Sequence, residues 1–164
     1  MQIRFKGEDT FEIKSKDLVA ILGKGLSVNG FVFPGPGEYE KSGIIINGIS
    51  NGDNTIYTLV VEDIILCHLG HISKELTEDE IKQIGPVDML FLPLGADGST
   101  QVKLATKILA DIDPRVVVPM LYTDSELGEF KRSEGVTDGE VEIFKVKKSD
   151  LPEEERQIVI IRAS

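Results

Sequence analysis

Two apolar runs without alternation, Val87 to Leu92 (interrupted only by Asp88 near its start) and Val116 to Met120, constrain this chain more than anything else in it. A strand with one wet face alternates apolar and polar residues, whereas a run that is apolar throughout needs cover on both faces. Between them, Gln101 to Asp111 repeats apolar residues at helical spacing, with Val102, Leu104, Ala105, Ile108 and Leu109 on one stripe. Asp113-Pro114 stops that helix. Strand, helix and strand of this kind predict a βαβ unit with parallel strands, set in a layered α/β (α+β) fold.

The first half has a different rhythm. Met1 to Phe5 and Thr10 to Lys14 alternate around Gly7-Glu8-Asp9, which reads as a hairpin turn. After the apolar run Leu18 to Leu22, the stretch Leu26 to Gly30 reads as a turn, and Pro34 to Glu40 as a rigid corner. Gly43 to Ser50, Thr55 to Val61 and Ile64 to Leu69 follow with short turns between them, which predicts an antiparallel meander. Thr77 with Glu80 three residues on is a capping box, so a short helix starts there and ends at Gly85-Pro86. Ser125 to Ser133 predicts a further helix, and Val141 to Val146 and Gln157 to Ile161 predict closing strands. No repeat or linker divides the chain, so residues 1–164 are expected to form one domain.

The net charge of -10 disfavours binding to phosphate backbones, so no nucleic-acid partner is expected. No apolar run approaches the roughly 18 residues needed to span a bilayer, so no membrane association is expected. The start of the chain shows no signal core, and a single cysteine cannot form an internal disulfide. A cytoplasmic location is the expectation.

Candidate chemistry gathers in Cys67-His68-Leu69-Gly70-His71, which holds both histidines and the only cysteine. Cys67 and His68 are neighbours on a strand, so they point to opposite faces and cannot act as nucleophile and base. Cys67 is expected to be buried and inert. Gly23-Lys24-Gly25 lacks the remaining residues of a phosphate loop. Ser27, Ser50, Ser99 and Ser125 sit in turns or caps, without a nucleophile elbow.

The order of Pro36-Gly37-Glu38-Tyr39-Glu40, Gly43 to Ile49, Asn54-Thr55-Ile56-Tyr57, Cys67-His68-Leu69-Gly70, Ile84-Gly85-Pro86-Val87-Asp88, Leu92-Pro93-Leu94-Gly95 and Val118-Pro119-Met120-Leu121-Tyr122 resembles the metallo-β-lactamase fold superfamily. The likeness is to its small branch, similar to ascorbate-6-phosphate lactonases and their Zn-dependent hydrolase relatives. The resemblance implies a four-layer αββα sandwich, here with a shortened N-terminal half, and a dinuclear metal site at one edge of the sheets. It also shows where this chain departs. The segment Leu22 to Phe31 has no room for the family's H-x-H-x-D-H motif and contains no histidine. Ser50 to Asp53 stands where a further histidine belongs, His71 where the bridging aspartate belongs, and Leu121 where the last histidine belongs. His68 corresponds to a residue that precedes a ligand.

The expectation is therefore a degenerate domain of this family that lacks the dinuclear site, holds no cofactor and has a binding or assembly role. The alternative is a hydrolase with a reduced or relocated site around His68 and His71, with Asp97 and Tyr122 beside them and Asp53 as a possible helper; zinc or another divalent metal would then be the cofactor. A first sheet left bare by the shortened half would expose an apolar face. A homo-oligomer, or a complex with another protein, is expected on that ground.

Overall fold

The computed structural model of the chain describes residues 1–95, 101–136 and 139–164. The first strands are β1 (Gln2–Gly7), β2 (Thr10–Ser15), β3 (Leu18–Leu22), β4 (Leu26–Val28) and β5 (Phe31–Val32). The chain then passes through β6 (Gly37–Lys41), β7 (Ile44–Asn51), β8 (Asn54–Val61) and β9 (Ile64–His68) to helix α1 (Glu78–Ile84). The βαβ unit follows as β10 (Met89–Pro93), α2 (Val102–Ile112) and β11 (Val116–Met120). After α3 (Asp124–Glu134), short strands β12 (Glu140–Val141), β13 (Phe144–Lys145), β14 (Gln157–Ile158) and β15 (Ile160–Ile161) close the chain.

These strands make two main sheets. The first runs β13-β1-β2-β3-β4-β5 and the second β14-β11-β10-β9-β8-β7-β6, with β12 and β15 paired beside them. As the unbroken apolar runs require, β9, β10, β11 and β14 are parallel neighbours. One core fills the space between the sheets, where Ile3, Phe11 and Ile13 meet Leu66, Phe91 and Val118. A second core lies between the second sheet and the helices, where Cys67, Leu90 and Val117 meet Ile108, Leu109, Leu127 and Phe130. Both faces of the second sheet are thus covered, and Cys67 and His68 point into different cores.

The metallo-β-lactamase-type sandwich is present, and the shortening of its N-terminal half reaches the whole outer layer of the first sheet. Among the described residues, all three helices supply buried side chains to the second sheet's outer core. Over β1 and β2 the bare face of the first sheet is charged, whereas apolar side chains (Val19, Ile21, Val32) continue it over β3 and β5. Its strands alternate, so Arg4, Glu12 and Lys14 point outward, and Glu12 lies 3.6 Å from Arg4 and 3.3 Å from Lys14. Alternation lets this face meet water without a helix over it. Exposed apolar side chains lie at Phe31 and Val32, which form β5 at the edge of this same sheet, and at Ile45 and Val141. No helix among the described residues is long and apolar enough to cross a membrane.

Two segments read as turns contain strands. Leu26 and Val28 are buried members of β4, and the turn itself is Asn29-Gly30, both at positive φ. The corner ends before Gly37, where β6 begins and pairs antiparallel with β7. The final segment is also broken, because β14 and β15 pair in different sheets.

Candidate functional site

The site is built where the β1–β2 turn meets the end of β9. Gly7 and Glu8 both take positive φ (106° and 53°), and this turn carries Asp9 inward until it is 1% exposed. A buried carboxylate needs partners. Asp9 Oδ2 lies 2.8 Å from His71 Nε2, and Thr10 Oγ1 donates to Asp9 Oδ1 at 3.3 Å. The imidazole of His71 is partly exposed while the carboxylate is not. Asp9 is the site residue that sequence reasoning missed. An aspartate in a Gly-Glu-Asp turn has ordinary turn chemistry, and no local pattern separates a buried one from a solvated one.

His68 is the last residue of β9 and is fully buried beside Phe11 and Phe91, with ring centroids 6.3 and 5.9 Å away. Its Nδ1 accepts from the Gly70 N–H at 3.2 Å. That contact leaves Nε2 as the N–H, which donates to the Asp9 carbonyl at 2.7 Å. Burial lowers the His68 pKa to about 4, against the smaller opposing pull of the Asp9 carbonyl and carboxylate. It is a neutral imidazole linking main-chain groups of the two sheets.

Asn54, the first residue of β8, holds the turn after His68. Its Oδ1 accepts from the His71 N–H at 3.0 Å and its Nδ2 donates to the Leu69 carbonyl at 2.8 Å. Asn51 continues the chain of contacts, donating to Glu80 Oε1 at 2.7 Å. The other oxygen of Glu80 accepts from the Thr77 N–H at 2.8 Å in the capping box. The start of α1 is thereby tied to the turn that carries His71.

Tyr122 follows β11 on the same side of the molecule. Burial, with the Glu140 and Asp124 carboxylates, raises its pKa. The preceding Leu121 takes a left-handed φ of 51°, and its N–H donates to the Glu8 carbonyl at 3.1 Å. Two clefts open here. One, of about 660 Å3, is walled by Lys24, Asp53, Asn54, Thr55, His71 and Lys74. The other, of about 550 Å3, is walled by Phe5, Glu8, Lys24, His71, Leu121 and Tyr122.

Of the candidates, His71 and Tyr122 therefore share a cleft, His68 lies beneath them, and Asp53 lines the neighbouring cleft. Asp97 falls outside the described residues, as does Ser99. Cys67 is buried among apolar groups on the helix side, where desolvation pushes its thiol up to about 12.

These donors do not fit the dinuclear centre that the resemblance implies. Among the described residues, no group of three or more His, Cys, Asp or Glu side chains is placed to hold a metal ion. Both ring nitrogens of His68 are engaged with the main chain. Asp9 and His71 remain, already bonded to each other, where even one zinc takes three or four protein ligands.

A family model described as a β-lactamase superfamily domain matches residues 19–121, more than half of the chain. Among solved structures, a candidate Zn-dependent hydrolase of the metallo-β-lactamase superfamily from Thermotoga maritima is similar over 99% of this chain and 100% of its own, at 20% identity and a TM-score of 0.80. Igni18, a metallo hydrolase from the hyperthermophilic archaeon Ignicoccus hospitalis, is similar over 89% of this chain and 99% of its own, at 15% identity and a TM-score of 0.61. A candidate metal-dependent hydrolase from Parabacteroides distasonis is similar over 94% of this chain and 98% of its own, at 15% identity and a TM-score of 0.51. No protein of curated function matches. Likenesses at these identities show a shared fold, and with the family match they lead to one statement: the chain belongs to the β-lactamase superfamily and has the metallo-β-lactamase fold.

Proposed function

We propose that this chain is a degenerate metallo-β-lactamase-like domain, without the dinuclear centre, that binds a ligand in the clefts around His71. The observation that supports this is the use already made of its donors. His68 spends both ring nitrogens on the main chain, and His71 Nε2 sits on the buried Asp9 carboxylate. The expected result is far less than one equivalent of zinc, iron or manganese per chain after purification from metal-supplemented medium. Roughly stoichiometric metal that disappears in His71→Ala would overturn the reading.

One observation favours a second reading, a hydrolase with a site reduced to His71. A buried carboxylate 2.8 Å from an imidazole that reaches a cleft can orient that imidazole and stabilise its charged form during proton transfer. On this reading, chelator-treated protein hydrolyses a lactone, thioester or phosphodiester. His71→Ala lowers the rate by on the order of 100-fold and Asp9→Asn lowers it substantially. Equal rates for wild type and His71→Ala, or no hydrolysis by either, would rule it out.

A further inference from the structure

We infer that a third cleft, between the β2–β3 turn and the segment that follows β13, binds a phosphorylated small molecule, with its phosphoryl group between Lys16, Lys145 and Lys147. This cleft has a volume of about 440 Å3 and shares no lining residue with the two clefts at His71. The inference does not depend on what those clefts bind.

The backbone sets the lysines around the opening. Lys145 and Lys147 flank Val146 in an extended stretch, where successive side chains point opposite ways. Val146 is buried, and its main chain is bonded twice to Met1: its N–H donates to the Met1 carbonyl at 3.1 Å, and its carbonyl accepts from the Met1 ammonium at 2.9 Å. With Val146 turned into the core, both lysines turn out to solvent. Gln2 pairs with Lys145 on one side and with Lys14 on the other, so these three share the outer face of the first sheet. Lys16 stands in the β2–β3 turn and completes the wall.

The charges around this cleft do not cancel. Glu62 is occupied by the Met1 ammonium at 2.9 Å and by the Ser15 hydroxyl. Arg4 and Lys14 share one carboxylate, that of Glu12, at 3.6 and 3.3 Å. Asp150 accepts from the main-chain N–H of Lys147 at 2.9 Å, and Asp17 lines the adjoining cleft with Lys16. Among the described residues, the ammonium groups of Lys16, Lys145 and Lys147 have no hydrogen bond or ion pair. Arg4, Lys14, Lys16, Lys145 and Lys147 thus face Glu12, Asp17 and Asp150, which leaves two positive charges on a chain whose net charge is -10. A phosphoryl monoester carries about two negative charges at neutral pH and matches that excess. Flexible ammonium groups serve such a group as point charges. A phosphate polymer would extend over the acidic remainder of the surface, whereas a single phosphoryl group meets only the cleft.

The test is an NMR titration with glycerol phosphate, with acetate at matched ionic strength as the comparison. Glycerol phosphate is expected to saturate by about 10 mM, to move the amide resonances of residues 15–16 and 145–147, and to bind at least about ten-fold tighter than acetate. Replacing two lysines together, Lys145→Gln with Lys147→Gln, is expected to weaken it by about ten-fold or more, and Lys24→Gln at the other clefts to leave it unchanged. Glycerol phosphate should also raise the melting temperature of the wild type and not that of the double variant, which separates lost binding from lost folding. No saturation, equal binding of acetate, undiminished binding by the double variant, or shifts centred on Lys24 and His71 would each overturn the assignment. Capture by phosphatidate vesicles without binding of glycerol phosphate would place the phosphoryl group on a lipid surface and overturn it as well.

Discussion

Gly70→Ala is expected to cost about 3 kcal/mol of folding stability, measured as the shift in urea unfolding. Gly70 has φ 65°, and an alanine there pays roughly 1–2 kcal/mol for left-handed backbone. Its Cβ would also fall inside the contact radius of Asn54 Oδ1. Asn54 must then move, and with it go the bonds to the His71 N–H and the Leu69 carbonyl, each contributing about 1 kcal/mol. Gly52→Ala separates the two causes. Gly52 has φ 63° but nothing within 4 Å of an added Cβ, so it should lose only the backbone share. Equal losses at both positions would mean that Asn54 is not the clamp described.

Acidification is expected to remove a comparable amount through His68. An unfolded histidine takes up its proton near pH 6.5, whereas burial holds the folded imidazole neutral down to about pH 4. Between those values the unfolded chain binds the proton and the folded chain does not. Stability therefore falls as pH drops through that window, by about 3 kcal/mol in all, and this share levels off below about pH 4. His68→Gln can keep a donor and an acceptor without titrating. Urea unfolding of both proteins from pH 7.5 to 4 isolates the effect, because their carboxylates are common. Parallel stability profiles would refute it. The imidazole resonance of His68 in the wild-type protein gives an independent check and should not move above pH 5.

Much of this architecture was legible in the chain. The apolar runs from Met89 and Val116 demanded a sheet covered on both sides, and the β9 to β11 region has that form. The Thr77–Glu80 capping box set the start of α1 to the residue. The misread segments share a physical cause. Leu26-Ser27-Val28 is too short for its alternation to stand out beside glycines, and β6 is a polar edge strand directly after two prolines. Their strand character comes from hairpin pairing with the neighbouring β3 and β7 rather than from the propensity of their own residues.

The candidate site was legible only in half. His68 and His71 stood out because they are the only histidines, and Tyr122 because it follows an apolar strand. Their partner Asp9 did not, since its role depends on the second sheet arriving over the β1–β2 turn. Over β1 and β2 the apolar face expected of the first sheet is absent for a reason visible in the residues. Arg4, Glu12 and Lys14 alternate with Ile3, Phe5, Phe11 and Ile13, a pattern that already provides for a wet side.

The bonds from Asp9 to the two imidazoles span 59 and 62 positions of sequence. No local stretch can form them, and closing a loop of that length costs entropy before any contact returns it. The clefts therefore have no existence apart from the docking of one sheet on the other. In kinetic terms, the site belongs to the non-local contacts that make sheet-rich chains slow to fold. A ligand held at His71, as proposed, would therefore stabilise the closure of the two sheets by its own binding free energy.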